Sequence, residues 1–160
     1  MKRILAFVSV VVIAVLVQGV VLAQSNPIIG TWNINAEKSK DTPRPVPKNL
    51  TLTMEAAGDG IKSTSQATGA DGTSTSWSYT ANYDRKDSPI TGTGVPGGAD
   101  TIALKRISAN KTEATLKKGG TVVRTAWLVV SKDGKVLKIM AKGKDPDGKT
   151  AKTALVFDKQ

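Results

Sequence analysis

Turn-forming residue pairs recur at short intervals and divide most of the chain into short segments. Glycine, aspartate and asparagine are typical of tight hairpins, because these residues tolerate the positive φ angles that such turns require. The segments between the turns are about 7–11 residues long, the length of β-strands, and none keeps a helical period. The turn signals are Gly58-Asp59-Gly60, Asp71-Gly72, Ala109-Asn110, Gly119-Gly120, Asp133-Gly134 and Asp147-Gly148.

Short strands at regular spacing predict an all-β fold, here an antiparallel up-and-down β-barrel of about 8–10 strands. Apolar and polar residues alternate within most segments, as in Leu50, Leu52 and Met54 against Thr51 and Thr53. Such alternation indicates antiparallel strands with one face in a core and one in solvent. The predicted strands lie near 29–35, 50–57, 61–67, 73–83, 88–91, 100–107, 112–118, 121–131, 135–142 and 150–158.

The alternation also predicts which side chains face the barrel interior. Segment 121–131 is ambiguous because both of its faces carry apolar residues, so that either Trp127 or Leu128 is the core residue. The predicted interior residues either line a ligand pocket or simply fill the barrel. The candidate ligand-binding residues are Met54, Trp77, Tyr79, Leu104, Trp127, Leu155 and Phe157.

Two connections are longer than hairpin turns, at residues 36–49 and 92–99. Residues 36–40 are compatible with one helical turn capped by Asn35. The proline-rich stretch 43–47 predicts a stiff, extended strap across one end of the barrel.

Residues 1–23 have the pattern of a secretory signal peptide. Lys2 and Arg3 precede an apolar run over 4–17, and small or apolar residues at 21–23 predict cleavage near Ala23/Gln24. The alternative is an uncleaved membrane anchor, for which the run is short. We therefore expect a periplasmic or secreted protein with one β-barrel domain over 24–160 and no membrane span in its mature form.

Positive charge is concentrated in the C-terminal part of the chain. The mature chain has a net charge of +8, made up of −1 over residues 24–100 and +9 over 101–160. A basic surface favours anionic partners, although lysines on outward faces of strands also serve to discourage edge pairing.

The chain has no histidine and no cysteine, which argues against a zinc site and a thiol nucleophile. Residues 143–150 match the phosphate-binding pattern G-x-x-x-x-G-K-[ST], but the helix that this motif requires does not follow. Residues 92–97 match G-x-G-x-x-G, but Pro96 and a following strand replace the expected helix. We interpret both matches as turns and expect no cofactor and no metal.

Gly30-Thr31-Trp32 on the first strand, followed by hairpins to the C-terminus, resembles the calycins, which include lipocalins, fatty-acid-binding proteins and avidins. The resemblance implies that Trp32 packs across the closed end of the barrel and that Gly30 allows close approach of the backbone. The last three strands resemble those of fatty-acid-binding proteins, and the whole chain resembles small secreted bacterial lipocalin-like proteins. The inward Arg-x-Tyr of fatty-acid-binding proteins is replaced by Leu155 and Phe157. The alternation of inward and outward residues does not settle whether Arg106 or Arg124 faces inward instead.

Two functions are compatible with these patterns. The first is a non-enzymatic binding protein that holds a small apolar ligand in the barrel. The second is an envelope or extracellular interaction module that binds an anionic polymer or a protein partner through the basic C-terminal half. We expect a monomer with no specific nucleic-acid partner and no catalytic residues, since no nucleophile stands beside a recognisable base.

Overall fold

The computed structural model describes residues 26–160, which form eleven strands in one antiparallel sheet. The predicted signal peptide, residues 1–23, lies outside the described residues. The strands are β1 Gly30–Ile34, β2 Lys40–Thr42, β3 Asn49–Ala57, β4 Gly60–Thr68, β5 Ser74–Asn82, β6 Ser88–Gly92, β7 Thr101–Ser108, β8 Lys111–Lys118, β9 Thr121–Val130, β10 Val136–Lys144 and β11 Thr150–Lys159.

The sheet closes on itself because β1 pairs with both its neighbour β3 and the last strand, β11. Trp32 lies opposite Leu52 on one side and opposite Lys159 on the other. β1 and β3 to β11 therefore form a closed ten-strand barrel in which each strand pairs with the next in the chain. This confirms the predicted all-β barrel.

All ten predicted strands are present, and their ends agree with the observed ones to within two residues. The eleventh strand, β2, was not predicted. It pairs with the Lys152 end of β11, whereas β1 pairs with the Lys159 end. A 3-10 turn over Ala36–Lys38 separates β1 from β2, and the Asn35 side chain caps it by accepting a hydrogen bond from the Lys38 N–H.

The two ends of the barrel differ in how they are filled. At one end, residues 26–29 lie against the strands: Asn26 donates a hydrogen bond to the Tyr83 hydroxyl, and Trp32 Nε1 donates to the Ile28 carbonyl at 2.9 Å. This is the closed end. Its core includes several side chains that are almost fully buried, among them Trp32, Ile61, Val130 and Leu137.

Gly30 lies beside the closed end with a φ of +136°. A Cβ atom there would meet the Lys159 side chain, with Cε at 2.7 Å. The ammonium group of Lys159 lies 4.9 Å from the centroid of the Trp32 ring. Gly30 therefore makes room for a lysine side chain that covers Trp32, not for the close backbone approach that the resemblance implied.

Gly92 lies on β6 at a point where the backbone of β5 approaches closely. Its φ is +113°, and a Cβ would lie 2.1 Å from the Ser76 carbonyl oxygen. We expect Gly92→Ala to lower the free energy of unfolding by about 3 kcal/mol, through backbone strain and overpacking together. Urea unfolding measures the change.

Gly72→Ala is the matched control, because Gly72 also has a positive φ, +86°, but open space around its Cβ position. It should cost about 1–2 kcal/mol from the left-handed backbone alone. Equal losses in the two variants would contradict the steric argument.

Candidate functional site

A cavity of about 600 Å³ occupies the end of the barrel opposite Trp32. This volume lies within the range of about 300–1,000 Å³ that is typical of small-molecule sites. Its mouth is bordered by four connections between strands, at residues 43–47, 69–73, 94–97 and 145–146. The proline-rich connection from β2 to β3 therefore lies at the open end, where the sequence predicted a strap.

The cavity exists because small side chains occupy inward positions that larger ones would fill. The wall also carries large apolar residues, such as Leu52, Leu116 and Leu128. The small inward residues of the wall are Ser63, Ser65, Ala67, Ala114, Ala141 and Ala151.

Five of the seven predicted ligand-binding residues line this cavity: Met54, Trp77, Tyr79, Leu155 and Phe157. Leu104 also faces inward and is fully buried, but it belongs to the packed core and not to the cavity wall. The rings of Trp77 and Tyr79 stack on each other with centroids 6.0 Å apart. They form an aromatic strip on the β5 wall.

The placement of Trp127 in the interior was wrong. Ala126, Leu128 and Val130 are the buried residues of β9, so that the alternate residue Trp127 faces outward. Its Nε1 donates a hydrogen bond to a Glu113 carboxylate oxygen at 3.1 Å, and its ring lies beneath the Lys142 ammonium group.

The same alternation places Arg124 inward, at the mouth of the cavity. The Thr153 hydroxyl accepts a hydrogen bond from Arg124 Nη2 and donates one to Asp41 Oδ1 at 2.7 Å. Arg124 Nη2 lies 3.9 Å from that same carboxylate oxygen. Burial lowers the pKa of Arg124, and the nearby Asp41 carboxylate opposes the shift.

Arg106 does not reach the cavity. Its guanidinium lies 4.0 Å above the centroid of the Tyr83 ring at the closed end, and the residue is exposed. The sequence did not decide whether Arg106 or Arg124 faces inward; of these two, the structure brings only Arg124 to the cavity.

Tyr79 is a buried titratable group on the apolar part of the cavity wall. Burial raises its pKa to about 12, and a hydrogen bond with the Ser63 hydroxyl opposes this shift. The phenol is therefore neutral at physiological pH and offers a hydroxyl group to the cavity. Ser65, 3% exposed, adds a second type of hydroxyl group on the neighbouring strand β4.

Sequence analysis did not single out the serines of β4 or Asp41 and Thr153 as site residues. The signal for the serines was present, because Ile61, Ser63, Ser65 and Ala67 alternate with the polar residues of the same segment. Asp41 lies on β2, which was not predicted, so nothing in the sequence placed it beside β11.

The site combines an apolar, partly aromatic wall with a charged and hydroxyl-rich mouth. Among residues 26–160, no group of acidic side chains has the arrangement of a metal site. No helix within the same range is long and apolar enough to cross a membrane.

The fold and the cavity together define a closed, antiparallel ten-strand β-barrel, an architecture compatible with calycin-like folds. Comparison with known protein families finds none that matches this chain. Comparison with curated proteins finds no significant match.

The ionisation of Tyr79 gives a direct test of the cavity environment. The sequence has two tyrosines, so Tyr83→Phe leaves Tyr79 as the only phenol. We expect the tyrosinate absorbance of the native variant to rise with a midpoint well above the pKa of about 10 of an ordinary tyrosine, because burial, the main cause of the raised pKa, remains in this variant. A native midpoint near 10 would show that the hydroxyl is solvated.

The same shift predicts how Tyr79 affects stability. The unfolded chain ionises before the folded one, so the contribution of Tyr79 is fully present below pH 10 and is lost as the pH rises towards 12. Tyr79→Phe should therefore flatten the decline in unfolding free energy over this interval, relative to the parent protein.

Proposed function

We propose that this chain is a small lipocalin-like binding protein that holds one mostly apolar molecule in the open end of its barrel. The observation that carries the proposal is the cavity of about 600 Å³ bounded by apolar walls and open at one end. We also propose that it acts in the periplasm or outside the cell, after cleavage near Ala23/Gln24.

The wall accounts for an apolar ligand. Leu50, Leu52, Met54, Leu155 and Phe157 present hydrocarbon to the cavity. Transfer of apolar ligand surface from water to such a wall is favourable by about 25 cal/mol per Å². The stacked Trp77 and Tyr79 rings favour a ligand with a flat or unsaturated portion.

The residues at the mouth of the cavity favour a ligand with a polar end. Arg124 donates to Thr153 through Nη2, which leaves the donors at Nε and Nη1 for a group at the mouth. Asp41, Arg44 and Asp145 all act on this guanidinium, so that two carboxylates offset two arginines and the local charge is nearly balanced. A neutral or weakly anionic polar group fits this setting better than a strongly charged one.

A non-enzymatic role fits the polar groups that the cavity offers. Its serine, threonine and tyrosine hydroxyls have no histidine to act as a base, because the chain contains none. Arg124 remains protonated throughout the physiological range. We therefore propose binding or transport, not chemical conversion, for this cavity.

Filling the cavity tests the proposal. Ser65 and Ala141 lie on separate walls, on β4 and β10. Ser65→Leu with Ala141→Leu should abolish saturable binding of the fluorescent apolar probe anilinonaphthalene sulfonate, while the unfolding midpoint is kept or raised.

The matched control changes two outward neighbours, Thr64→Leu with Lys142→Leu, which place the same two leucine side chains outside the barrel. Probe binding should persist in this variant. If both variants bind the probe equally, the binding site is not the cavity.

Tryptophan fluorescence locates the bound probe. Of the three tryptophans, Trp77 lines the cavity, Trp32 is in the closed end and Trp127 is on the outer face. Trp77→Phe should remove most of the quenching caused by the probe, and Trp127→Phe should leave it. Salt should have little effect on this signal, because burial of apolar surface is not screened.

The opposite result, in which Trp127→Phe removes the quenching and salt weakens binding, would favour the second candidate function. That candidate is an interaction module that uses the basic C-terminal half. It is supported by the placement of 14 basic residues in 101–160, which form the contiguous strands β7 to β11.

A further inference from the structure

The outer face of β9, β10 and β11 carries apolar residues between lysines. Its central row runs across the strands through Trp127, Met140 and Ala154, which are direct register partners. Lys138 lies two residues from Met140 on one side, and Lys142 and Lys152 lie on the other side. We call these six residues the lysine-flanked face.

The lysines of this face have no acidic partner within the described part of the chain. The salt bridges of residues 26–160 involve Lys62, Lys86, Lys117 and Arg124 instead. Lys142 and Lys152 lie directly opposite each other on adjacent strands. Like charges in this position destabilise a sheet, so the fold itself gains nothing from this pair.

The acidic groups near the face are at its margins and are already bonded. Glu113 accepts the hydrogen bond from Trp127 Nε1, and Asp158 accepts one from Asn35 Nδ2 at 2.8 Å. Further lysines extend the positive region: Lys40 lies opposite Ala154 on β2, and Lys111 lies opposite Val129 on β8.

The apolar row is accessible as well as central. Met140 is 46% exposed, which makes it one of the large apolar residues with the greatest exposure in the described chain. Trp127 is half-buried, and its ring is covered on one side by Lys142. An apolar row with lysines on both sides therefore projects from the convex wall of the barrel.

We infer that the lysine-flanked face docks on the surface of an anionic lipid bilayer. The lysines meet the headgroups, and each contributes about 1 kcal/mol of attraction near such a surface. Their hydrocarbon stems, with Met140 and the indole of Trp127, reach the interfacial layer that favours such amphipathic side chains.

The shape of the face favours a bilayer over an extended anionic polymer. The outer wall of a barrel is convex, and the cavity in its interior includes no residue of the lysine-flanked face. A polymer chain would have no groove to follow, and it would leave Met140 in water. A flat, deformable surface contacts the apolar row and both groups of lysines together.

Sedimentation with lipid vesicles tests this inference. Vesicles of phosphatidylcholine with one quarter phosphatidylglycerol are compared with pure phosphatidylcholine, using protein whose N-terminus is identical in all variants. We expect binding only to the anionic vesicles, weakening as salt is raised. Lys142→Gln with Lys152→Gln should lower the partition coefficient roughly 25-fold, about fivefold for each lysine.

The matched control, Lys62→Gln with Lys86→Gln, removes the same charge from β4 and from the connection between β5 and β6. It should bind nearly as the parent does. Met140→Gln keeps every lysine and should also lower the partition coefficient. The unfolding midpoint of the Lys142/Lys152 variant should match or exceed that of the parent, since a like-charge pair is removed.

Two results would overturn the inference: no binding to anionic vesicles, or an equal loss in both lysine pairs. If the protein binds soluble polyphosphate but not vesicles, the face is assigned to an anionic polymer. The variant with Leu at 65 and 141 should still bind vesicles, so failure of the cavity proposal and failure of this one are distinguishable.

Discussion

The pairing of β1 with both β3 and β11 is the constraint on which the rest of the structure depends. A sheet with free edges would expose unpaired backbone groups, and closure removes them. The chain has no cysteine, so no disulfide supports the closure. Packing does this instead: Trp32 lies at the joint, fully buried, with its indole N–H bonded to Ile28 and Lys159 above its ring.

Because the barrel is closed, alternate residues of each strand face its interior and its outer surface. The inward residues are not uniform along the barrel axis. Large side chains such as Ile61 and Leu137 fill the end near Trp32, whereas Ser65, Ala67 and Ala141 leave space at the other end. One end therefore supplies most of the packed core, and the other supplies the cavity.

The proposed ligand site and the proposed membrane-docking face both follow from this division between inward and outward residues. Arg124 and Trp127 are three residues apart on β9, but one faces the cavity mouth and the other faces outward. The inward arginine is balanced by Asp41, in keeping with the cost of burying a single charge. The outward lysines of β10 and β11 have no acidic partner, and this costs little because their charges are exposed to water.

The sequence by itself determined the strands, their order and most of their faces, because turn residues and period-two alternation are local signals. It could not orient β9, where Trp127 and Leu128 are both apolar; the neighbouring strands decide this by placing Leu128 opposite Thr112 and Ile139. The β2 strand, and with it the contact of Asp41 with Thr153, depends on a long-range pairing with β11. Only the tertiary structure decides whether the barrel is hollow, because a cavity depends on the summed volumes of side chains that ten separate strands bring together.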